Sequence, residues 1–432
     1  MLNTLSKKKI LILGGAFQHC KLVETAKKLG IITYVIDYLP FEKSPAKQIA
    51  DFHFEYDIAD YDSIISLCRR EHIDGVLSAY IDVCQLPYQH ICEELNLPCF
   101  GTKEQFGILT NKKKFKKKCE EYGVDTIAEY DENDFVDESE CKATFPIFVK
   151  PADSRGSRGQ TICKSFSEIG EAIREAKKES ISGEIIIEAY MGDKPDFALT
   201  YFVIDGNPIL YRTCDRYLGT VSDRMDRSSI CTISPSRFTD MYLEKVNRKV
   251  QELIRGIGIK NGPVFMQGFV DGNTIKFYDP GLRCAGGEFD RLYEKITEIN
   301  ICQSLLEFAL TGKLLLDPDL LSDYIKLKGR VATLLFLVLR PGKIKNISGV
   351  ENIKDIPAVV SYFQRADVGD SIGNRFDVTQ RLGEVDFVSN NIEELKDTVN
   401  MIYDNIHVLD NDGKEMIFSK MDCKRILLLE NK

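Results

Sequence analysis

The chain has 432 residues, 44% of them hydrophobic and 28% charged, which is ordinary for a soluble globular protein of about two to four compact units. Its formal net charge of −9 argues against a broad nucleic-acid-binding surface, and its longest apolar stretch, Val331–Leu339, is too short to span a bilayer. Thirteen cysteines without a C-x-x-C pair and five histidines without a Cys/His cluster favour a reduced cytoplasmic protein and argue against a zinc site.

The first third of the chain alternates strand and helix patterns. Its start, Met1–Lys9, is polar and basic and predicts no secretory signal. The apolar run Ile10–Leu13 predicts a strand, and the apolar spacing of Lys21–Leu29 predicts a helix. The same alternation continues to Gly101, so we expect a parallel sheet with helices on both faces.

Two glycines, Gly14 and Gly15, join the first strand to the first helix. They stand where a dinucleotide-binding fingerprint would begin, but the full G-x-G-x-x-G pattern is absent because Ala16 and Phe17 follow. We therefore interpret them as a tight turn in a Rossmann-like layer. The incomplete fingerprint also argues against the alternative of an NAD(P)-dependent dehydrogenase.

The pattern changes after a lysine-rich segment, Lys112–Glu121, which predicts a helix. Most lysines of such a run form a solvated helix face, so at most one or two of them need have a task. From Pro146 onward, strand-like runs are separated by Gly-containing turns, which predicts antiparallel sheets in an α+β arrangement.

A lysine stands at the end of the first strand of this part. Lys150 closes the apolar run Ile147–Lys150, and the loop 153–159, rich in Gly, Ser and Arg, comes next. A strand-end lysine adds a point charge, and small residues let backbone N–H groups converge on phosphate oxygens. The loop is not a Walker A sequence, and a plain hairpin turn is the simpler interpretation of this segment by itself.

The β-branched strand Ile185–Glu188 ends in an acid and enters an irregular segment that contains Asp196. Adenine needs one acceptor for its amino group and one backbone donor for a ring nitrogen, and a strand that opens into a linker offers both. A strand capped by a surface glutamate is the alternative for this segment alone.

Asp271-Gly272 between two strand-like runs predicts a β-hairpin. With a loop of three or five residues, Gln267 and Asp279 lie on one face of the hairpin, opposite or diagonal to each other. An amide oxygen and a carboxylate at that spacing suit Mg²⁺, which takes few protein ligands. Arg283 follows on the exit loop, where its guanidinium could meet a γ-phosphate. A surface hairpin with a stray acid is the alternative.

Taken in this order, the segments resemble the ATP-grasp superfamily, in particular single-unit members related to carbamoyl-phosphate synthetase, biotin carboxylase and the L-amino acid ligases. The likeness covers nearly the whole chain. It implies a fold of class α/β plus α+β: a Rossmann-like pre-ATP-grasp domain over 1–104, a two-lobed ATP-grasp domain over 105–313, and a C-terminal α/β lid subdomain over 314–432. The lobe 105–187 would hold the phosphate loop, and the lobe 188–313 the metal site.

The resemblance assigns site residues to the matching positions. Lys112 at a helix start and the strand-end Lys150 correspond to the family's phosphate-binding lysines. The remaining nucleotide contacts fall on the phosphate-covering loop, the adenine hinge and the ribose position: Ser154, Gly156, Ser157, Gly159, Glu188, the backbones of Ala189 and Met191, and Asp196. Gln267 and Asp279 fall where the family holds its metal ions, and Arg283 matches the arginine of its Glu-x-Asn-x-Arg-type motif.

The sequence departs from the family pattern at three of these positions. Gln267 stands in place of glutamate, as in some members, Asp279 is one methylene shorter than the family's glutamate, and Gly281 replaces the asparagine of the motif. These departures leave open whether one or two Mg²⁺ ions bind. The stretch Asp279–Gly287 resembles a Glu-x-Gly-x-Arg-x-x-Gly-Gly form found in bacterial members.

The resemblance implies a ligase that uses ATP and Mg²⁺, makes an acyl phosphate, and releases ADP and phosphate. Its partners would be a small-molecule carboxylate and an amine, without nucleic acid or membrane, and a homodimer is compatible with the sequence. Two alternatives stay open: a bicarbonate-using carboxylase or carbamoyl-phosphate-type synthetase, and an ATP-binding module without catalysis. Substrate contacts are expected from the segment 212–236, which contains Arg216, Arg224 and Arg227, and from the C-terminal unit.

Overall fold

The computed structural model describes residues 5–152, 159–180, 182–192, 194–220, 227–373 and 380–427. The strands are β1 (Lys9–Leu13), β2 (Ile32–Asp37), β3 (Phe52–Glu55), β4 (Gly75–Leu77), β5 (Glu129–Tyr130), β6 (Ile147–Pro151), β7 (Thr161–Cys163), β8 (Ile185–Ala189), β9 (Asp196–Ile204), β10 (Asn207–Thr220), β11 (Arg227–Ser234), β12 (Gly262–Asp271), β13 (Thr274–Gly281), β14 (Val331–Val338), β15 (Gly342–Ser348), β16 (Val359–Gln364), β17 (Ser371–Ile372), β18 (Arg381–Ser389) and β19 (His407–Asp410). The helices are α1 (Cys20–Lys28), α2 (Pro45–Ile49), α3 (Tyr61–Glu71), α4 (Gln85–Leu95), α5 (Lys103–Thr110), α6 (Lys112–Glu121), α7 (Ile169–Glu179), α8 (Thr239–Lys245), α9 (Asn247–Ile257), α10 (Phe289–Thr297), α11 (Ile301–Thr311), α12 (Pro318–Asp323), α13 (Ile392–Asn405) and α14 (Lys424–Leu427).

The N-terminal part forms a parallel sheet of four strands in the order β3-β2-β1-β4. The apolar side chains of β1 are fully buried, which is why this strand lies in the middle. Gly14 has φ +108°, and the N–H of Gly15 donates to Asp37 Oδ2 at 2.8 Å. The two glycines therefore form the tight turn that the sequence predicted.

A small antiparallel sheet in the order β5-β8-β6-β7 follows. Ile147 and Val149 of β6 pack with Ala172 and Ala176 of α7 in a core of their own, separate from the main core. This small sheet is a compact unit that carries the strand-end lysine.

The large sheet has eight antiparallel strands in the order β13-β12-β9-β10-β11-β14-β18-β16. Strands before and after residue 313 share it, and the small sheet includes Glu188 of β8. The domain and lobe boundaries stay predictions, since the sheets run across two of them. Helices α8 and α9 follow each other directly but are separate, because the backbone leaves regular helix geometry at Val246 (φ −119°).

The hairpin of β12 and β13 differs from the expectation in its loop. Two residues, not three or five, connect Asp271 to its partner Thr274. A β-bulge between Gln267 and Gly268 then shifts the register by one, so that Gln267 pairs with Asp279. A Cβ on Gly268 would lie 2.6 Å from Ile275 Cγ2, so the bulge requires glycine there. The two side chains meet as expected, through a different backbone geometry.

The C-terminal part adds a three-stranded sheet in the order β17-β15-β19 and the helix α13, which packs on β14 and β18. All thirteen cysteines are free, and only Cys99, Cys141 and Cys423 are not buried. No helix in the described ranges has the length and apolarity needed to cross a membrane.

Candidate nucleotide site

A pocket of about 260 Å³ lies between the small sheet and the large sheet. The small sheet and the segment after it contribute Lys150, Glu188, Ala189 and Met191, and the large sheet contributes Asp196. The tertiary structure thus brings five of the predicted site residues to one cavity.

Two lysines, Lys116 and Lys150, lie against the carboxylate of Glu188 on the small-sheet side of this pocket. Lys150 forms an ion pair with Glu188, and Lys116 Nζ lies 3.7 Å from Glu188 Oε2 and 2.7 Å from Glu129 Oε2. Burial lowers the pKa of Lys150; Glu188 opposes that shift, while the charges of Lys112 and Lys116 add to it. Three ammonium groups thus lie close enough to affect one another, and an entering phosphate could share them with Glu188, Glu129 and Asp279.

Helix α6 positions two of these lysines. Asn111 caps the helix by accepting a hydrogen bond from the N–H of Lys114 at 3.0 Å. Lys112 in the first turn has its Nζ 3.5 Å from Asp279 Oδ1 on the large sheet. Lys116 follows one turn later and is buried. Sequence reasoning left Lys116 among the solvated lysines; its spacing of four residues from Lys112 was the available signal.

The predicted adenine hinge leaves β8 at Ala189. The N–H of Ala189 donates to the carbonyl of Ala128 at 2.9 Å, and that of Tyr190 donates to the carbonyl of Pro146 at 3.1 Å. The N–H of Met191 has no acceptor among the described residues, so it is the donor that the hinge can offer to a base. The carboxylate of Glu188 forms ion pairs with Lys116 and Lys150 and is not part of the hinge.

Asp196 on β9 is a buried carboxylate. Burial raises its pKa, and the charge of Arg216 opposes that shift. Its Oδ2 accepts a hydrogen bond from Arg216 Nη1 at 2.7 Å, whereas its Oδ1 has no donor among the described residues. A buried oxygen without a donor is costly unless a ligand supplies one. Arg216 and Tyr278 also line the pocket; sequence reasoning placed Arg216 only in a substrate-binding segment and missed Tyr278.

The two residues predicted to hold metal ions have different surroundings. Asp279 is about one-third exposed, with Lys112 as its ion-pair partner. The amide of Gln267, oriented by its hydrogen bonds, places its oxygen 2.8 Å from Arg216 Nη1 and 3.2 Å from Nε. The partly exposed carboxylate of Asp279 is therefore suited to bind a hard cation. The amide oxygen of Gln267, by contrast, already accepts hydrogen bonds from the guanidinium of Arg216. No cluster of three or more His, Cys, Asp or Glu ligands occurs in the described ranges.

Arg283 lies at the junction of the large sheet with the N-terminal unit. Its Nη2 donates to Asp82 Oδ2 at 3.0 Å, and its Nη1 donates to the carbonyl of Cys284 at 2.8 Å. The guanidinium also stacks over the ring of Phe265 at 4.7 Å. A Cβ at Gly281 would lie 3.1 Å from Arg283 Cγ, so an asparagine side chain there would contact the arginine. Asp82, which fixes Arg283, gave no signal in the sequence.

Part of the predicted phosphate loop lies outside the described residues, namely Ser154, Gly156 and Ser157. Gly159 at its end has φ +67°, and a Cβ there would lie 3.0 Å from Glu179 Cβ. Packing on α7 therefore accounts for glycine at this position. Gln160, the next residue, lines the pocket.

Comparison with known proteins agrees with this architecture. The family model described as D-ala D-ala ligase C-terminus matches residues 120–206, and the model described as L-amino acid ligase C-terminal domain 2 matches residues 335–409. A formate-dependent phosphoribosylglycinamide formyltransferase of Wolinella succinogenes is 23% identical over 275 residues, which are 62% of this chain and 68% of that protein. Matches to other proteins of that description span about half of their length.

Two crystal structures have a similar fold along their whole length. A phosphoribosylglycinamide synthetase from Anaerococcus prevotii superimposes with a TM-score of 0.74 at 19% identity, covering 94% of this chain and 100% of that one. An L-amino acid ligase from Bacillus licheniformis gives a TM-score of 0.74 at 19% identity, with coverages of 94% and 99%.

The fold has two lobes, with a pocket between a small and a large antiparallel sheet. Together with the two family models, the fold and the pocket agree with the resemblance to the ATP-grasp superfamily of ATP-dependent ligases. The resemblance found in the sequence is confirmed, and so is the expected fold class.

Proposed function

We propose that the protein is an ATP- and Mg²⁺-dependent carboxylate–amine ligase that releases ADP and phosphate. The observation that carries this proposal is the composition of the pocket. It combines a hinge N–H at Met191 and a donor-free carboxylate oxygen on Asp196 with the ammonium of Lys150. These groups suit, in turn, the base, the ribose hydroxyls and the phosphates of ATP.

The chemistry follows from where the positive charge lies. Lys150, Lys112 and Lys116 would neutralise the β- and γ-phosphates, and Asp279 would hold Mg²⁺, which supplies further charge to the phosphate oxygens. The substrate carboxylate attacks the γ-phosphorus, the bond to the β-phosphate oxygen breaks, and ADP leaves. The amine then attacks the acyl carbon, loses a proton and expels phosphate.

Arg283 would stabilise the negative charge on the transferred phosphoryl group. Its hydrogen bonds to Asp82 and to the Cys284 carbonyl hold the guanidinium plane in place, which is the condition for such a role. Asp82 then acts as a positioning residue.

The substrates are proposed to be a small carboxylic acid and an amine. The similarity to an L-amino acid ligase supports this class of pair. Thirteen free cysteines suit a reducing compartment, and we place the reaction in the cytoplasm.

The test is an intercepted reaction. Enzyme, Mg-ATP and a panel of acids are incubated with hydroxylamine, and hydroxamate, ADP and AMP are assayed. We expect hydroxamate and ADP in equal amounts for at least one acid, because hydroxylamine captures an acyl phosphate. AMP formed in step with product would overturn the mechanism. ADP released only with bicarbonate would favour the carboxylase alternative, and nucleotide binding without turnover would favour the non-catalytic module.

A further inference from the structure

Arg216 occupies a central position on the large-sheet side of the pocket. It is mostly buried, with 19% of its side chain exposed. Its Nη1 contacts Asp196 Oδ2 at 2.7 Å and the hydroxyl of Tyr278 at 3.2 Å. The bulge in β13 leaves Tyr278 without a pairing partner on β12, and this places its hydroxyl beside the arginine. The guanidinium is therefore held in one orientation.

Gln267 completes the set of acceptors around Arg216. Its amide oxygen accepts from both Nη1, at 2.8 Å, and Nε, at 3.2 Å. A carbonyl oxygen has two lone pairs, and both are used by these two donors. A divalent cation bound to the same oxygen would lie within a few ångströms of a guanidinium that cannot lose its proton. Gln267 does not fit the role of a metal ligand in this arrangement.

The guanidinium retains donors for a ligand. The contacts within the described residues use Nη1 and Nε, and Nη2 has no acceptor there. Because Arg216 lines the pocket, Nη2 is in place to donate to a phosphate oxygen. Asp279, by contrast, is more exposed and has Lys112 at 3.5 Å as its one ion-pair partner in the described chain.

We propose that the nucleotide-bound site takes one divalent cation, held by Asp279, and that Arg216 donates to the phosphates where a second cation would otherwise bind. The inference rests on the proposed function, since it needs a nucleotide in this pocket. It answers the question that Gly281 and Gln267 left open in the sequence. Gln267 becomes a residue that positions Arg216.

The first experiment counts the metal ions. Mn²⁺ binding to the wild-type protein is followed by electron paramagnetic resonance with saturating β,γ-methylene-ATP, which carries the phosphates without turnover. We expect one Mn²⁺ per chain. Two would overturn this inference and leave the proposed function standing, whereas the absence of nucleotide-dependent Mn²⁺ binding would overturn the proposed function itself.

The second experiment compares the two side chains. Gln267→Ala should change the Mn²⁺ dissociation constant by less than about threefold, and Asp279→Asn should raise it by at least about tenfold, the scale of a lost metal contact. Equal losses in both variants would make Gln267 a ligand and contradict the inference.

The third experiment addresses the arginine. Arg216→Gln should weaken β,γ-methylene-ATP binding at least about tenfold, Arg216→Lys by less, and Tyr278→Phe by about threefold at most. Thermal unfolding shows whether each variant is folded. Unchanged nucleotide affinity in a folded Arg216→Gln protein would show that the arginine does not reach the phosphates.

Discussion

The two walls of the nucleotide pocket hold their charges in different ways. On the small-sheet wall, Lys150 and Lys116 both pair with Glu188, and Lys116 pairs more closely with Glu129, so each ammonium lies beside a carboxylate. On the large-sheet wall, Arg216 is surrounded by acceptors from Asp196, Gln267 and Tyr278. The lysines are held by ion pairs, whereas the guanidinium is fixed by directed hydrogen bonds that leave its Nη2 without an acceptor among the described residues. The difference implies that the small sheet meets a phosphate with lysine charge, and the large sheet with one N–H donor of fixed orientation.

The largest effect on activity is expected at the proposed cation site, on the edge of the large-sheet wall. Asp279→Asn should lower turnover by at least about 100-fold, because charge stabilisation of the transferring phosphoryl group is lost. The fold should remain, since the carboxylate is partly solvated and supports no core. Steady-state ADP release checks this outcome. Asp271→Asn, in the same hairpin but paired with Lys194 and Lys276, is the control; normal activity of Asp279→Asn at limiting Mg²⁺ would place the cation elsewhere.

Removing the strand-end lysine tests the small-sheet wall directly. Lys150→Ala should weaken ATP binding by about 2–3 kcal/mol, the scale of a charge-assisted hydrogen bond in a desolvated site. Lys113→Ala should have almost no effect, because that side chain is 60% exposed and its partner Glu184 is 64% exposed. Titration calorimetry with ATP measures both. Equal losses in the two variants would refute the assignment of Lys150.

The pH dependence of ATP binding sharpens the same point. Burial lowers the pKa of Lys150, so its ammonium is fully present at low pH and is lost at a lower pH than in an ordinary lysine. ATP affinity should be constant while Lys150 is protonated and fall as the pH rises through that lowered pKa, below the usual value of about 10.4. Lys150→Arg keeps its charge over this range and should give a flat profile. Identical profiles for the two proteins would assign the titration to another group.

The smallest effect concerns the backbone at the end of the phosphate loop. Gly159→Ala should lower the free energy of unfolding by about 1 kcal/mol more than Gly183→Ala does. Both glycines have positive φ, +67° and +77°, but a Cβ at Gly159 would meet Glu179 Cβ at 3.0 Å, whereas one at Gly183 would meet nothing within 4 Å. Thermal unfolding compares them. Equal destabilisation would mean that α7 yields to the added methyl group.

Several features could be predicted from the sequence because they depend on local patterns. The β-α-β alternation of the first third, the strand ending in Lys150, the helix Lys112–Glu121 and the hairpin turn at Gly272 all follow from periodicity and turn residues. Their order along the chain was sufficient for the superfamily. The roles of the predicted site residues stay predictions until the variants are measured.

Other features depend on distant segments, and no local pattern encodes them. Lys116 lies beside the pocket residue Glu188 and pairs also with Glu129, and these two glutamates come from two different strands. Asp82 accepts a hydrogen bond from Arg283, which lies 201 positions away in the sequence. Nothing in the sequence next to either residue predicts this contact.

The hairpin of β12 and β13 shows which features of the site the sequence determines and which depend on the tertiary structure. The residues Gln267 and Asp279 and a turn between them are fixed by the sequence, which determined that an amide and a carboxylate would share one face. Only the tertiary structure decided their surroundings. The bulge beside Gly268 places Tyr278 next to Arg216. Arg216 lies on β10, which is separated from β12 by β9 in the sheet. The sequence alone determines the charge of a side chain. The neighbours of that side chain depend on how strands remote in sequence pack together, and these neighbours decide whether the side chain can bind a metal ion.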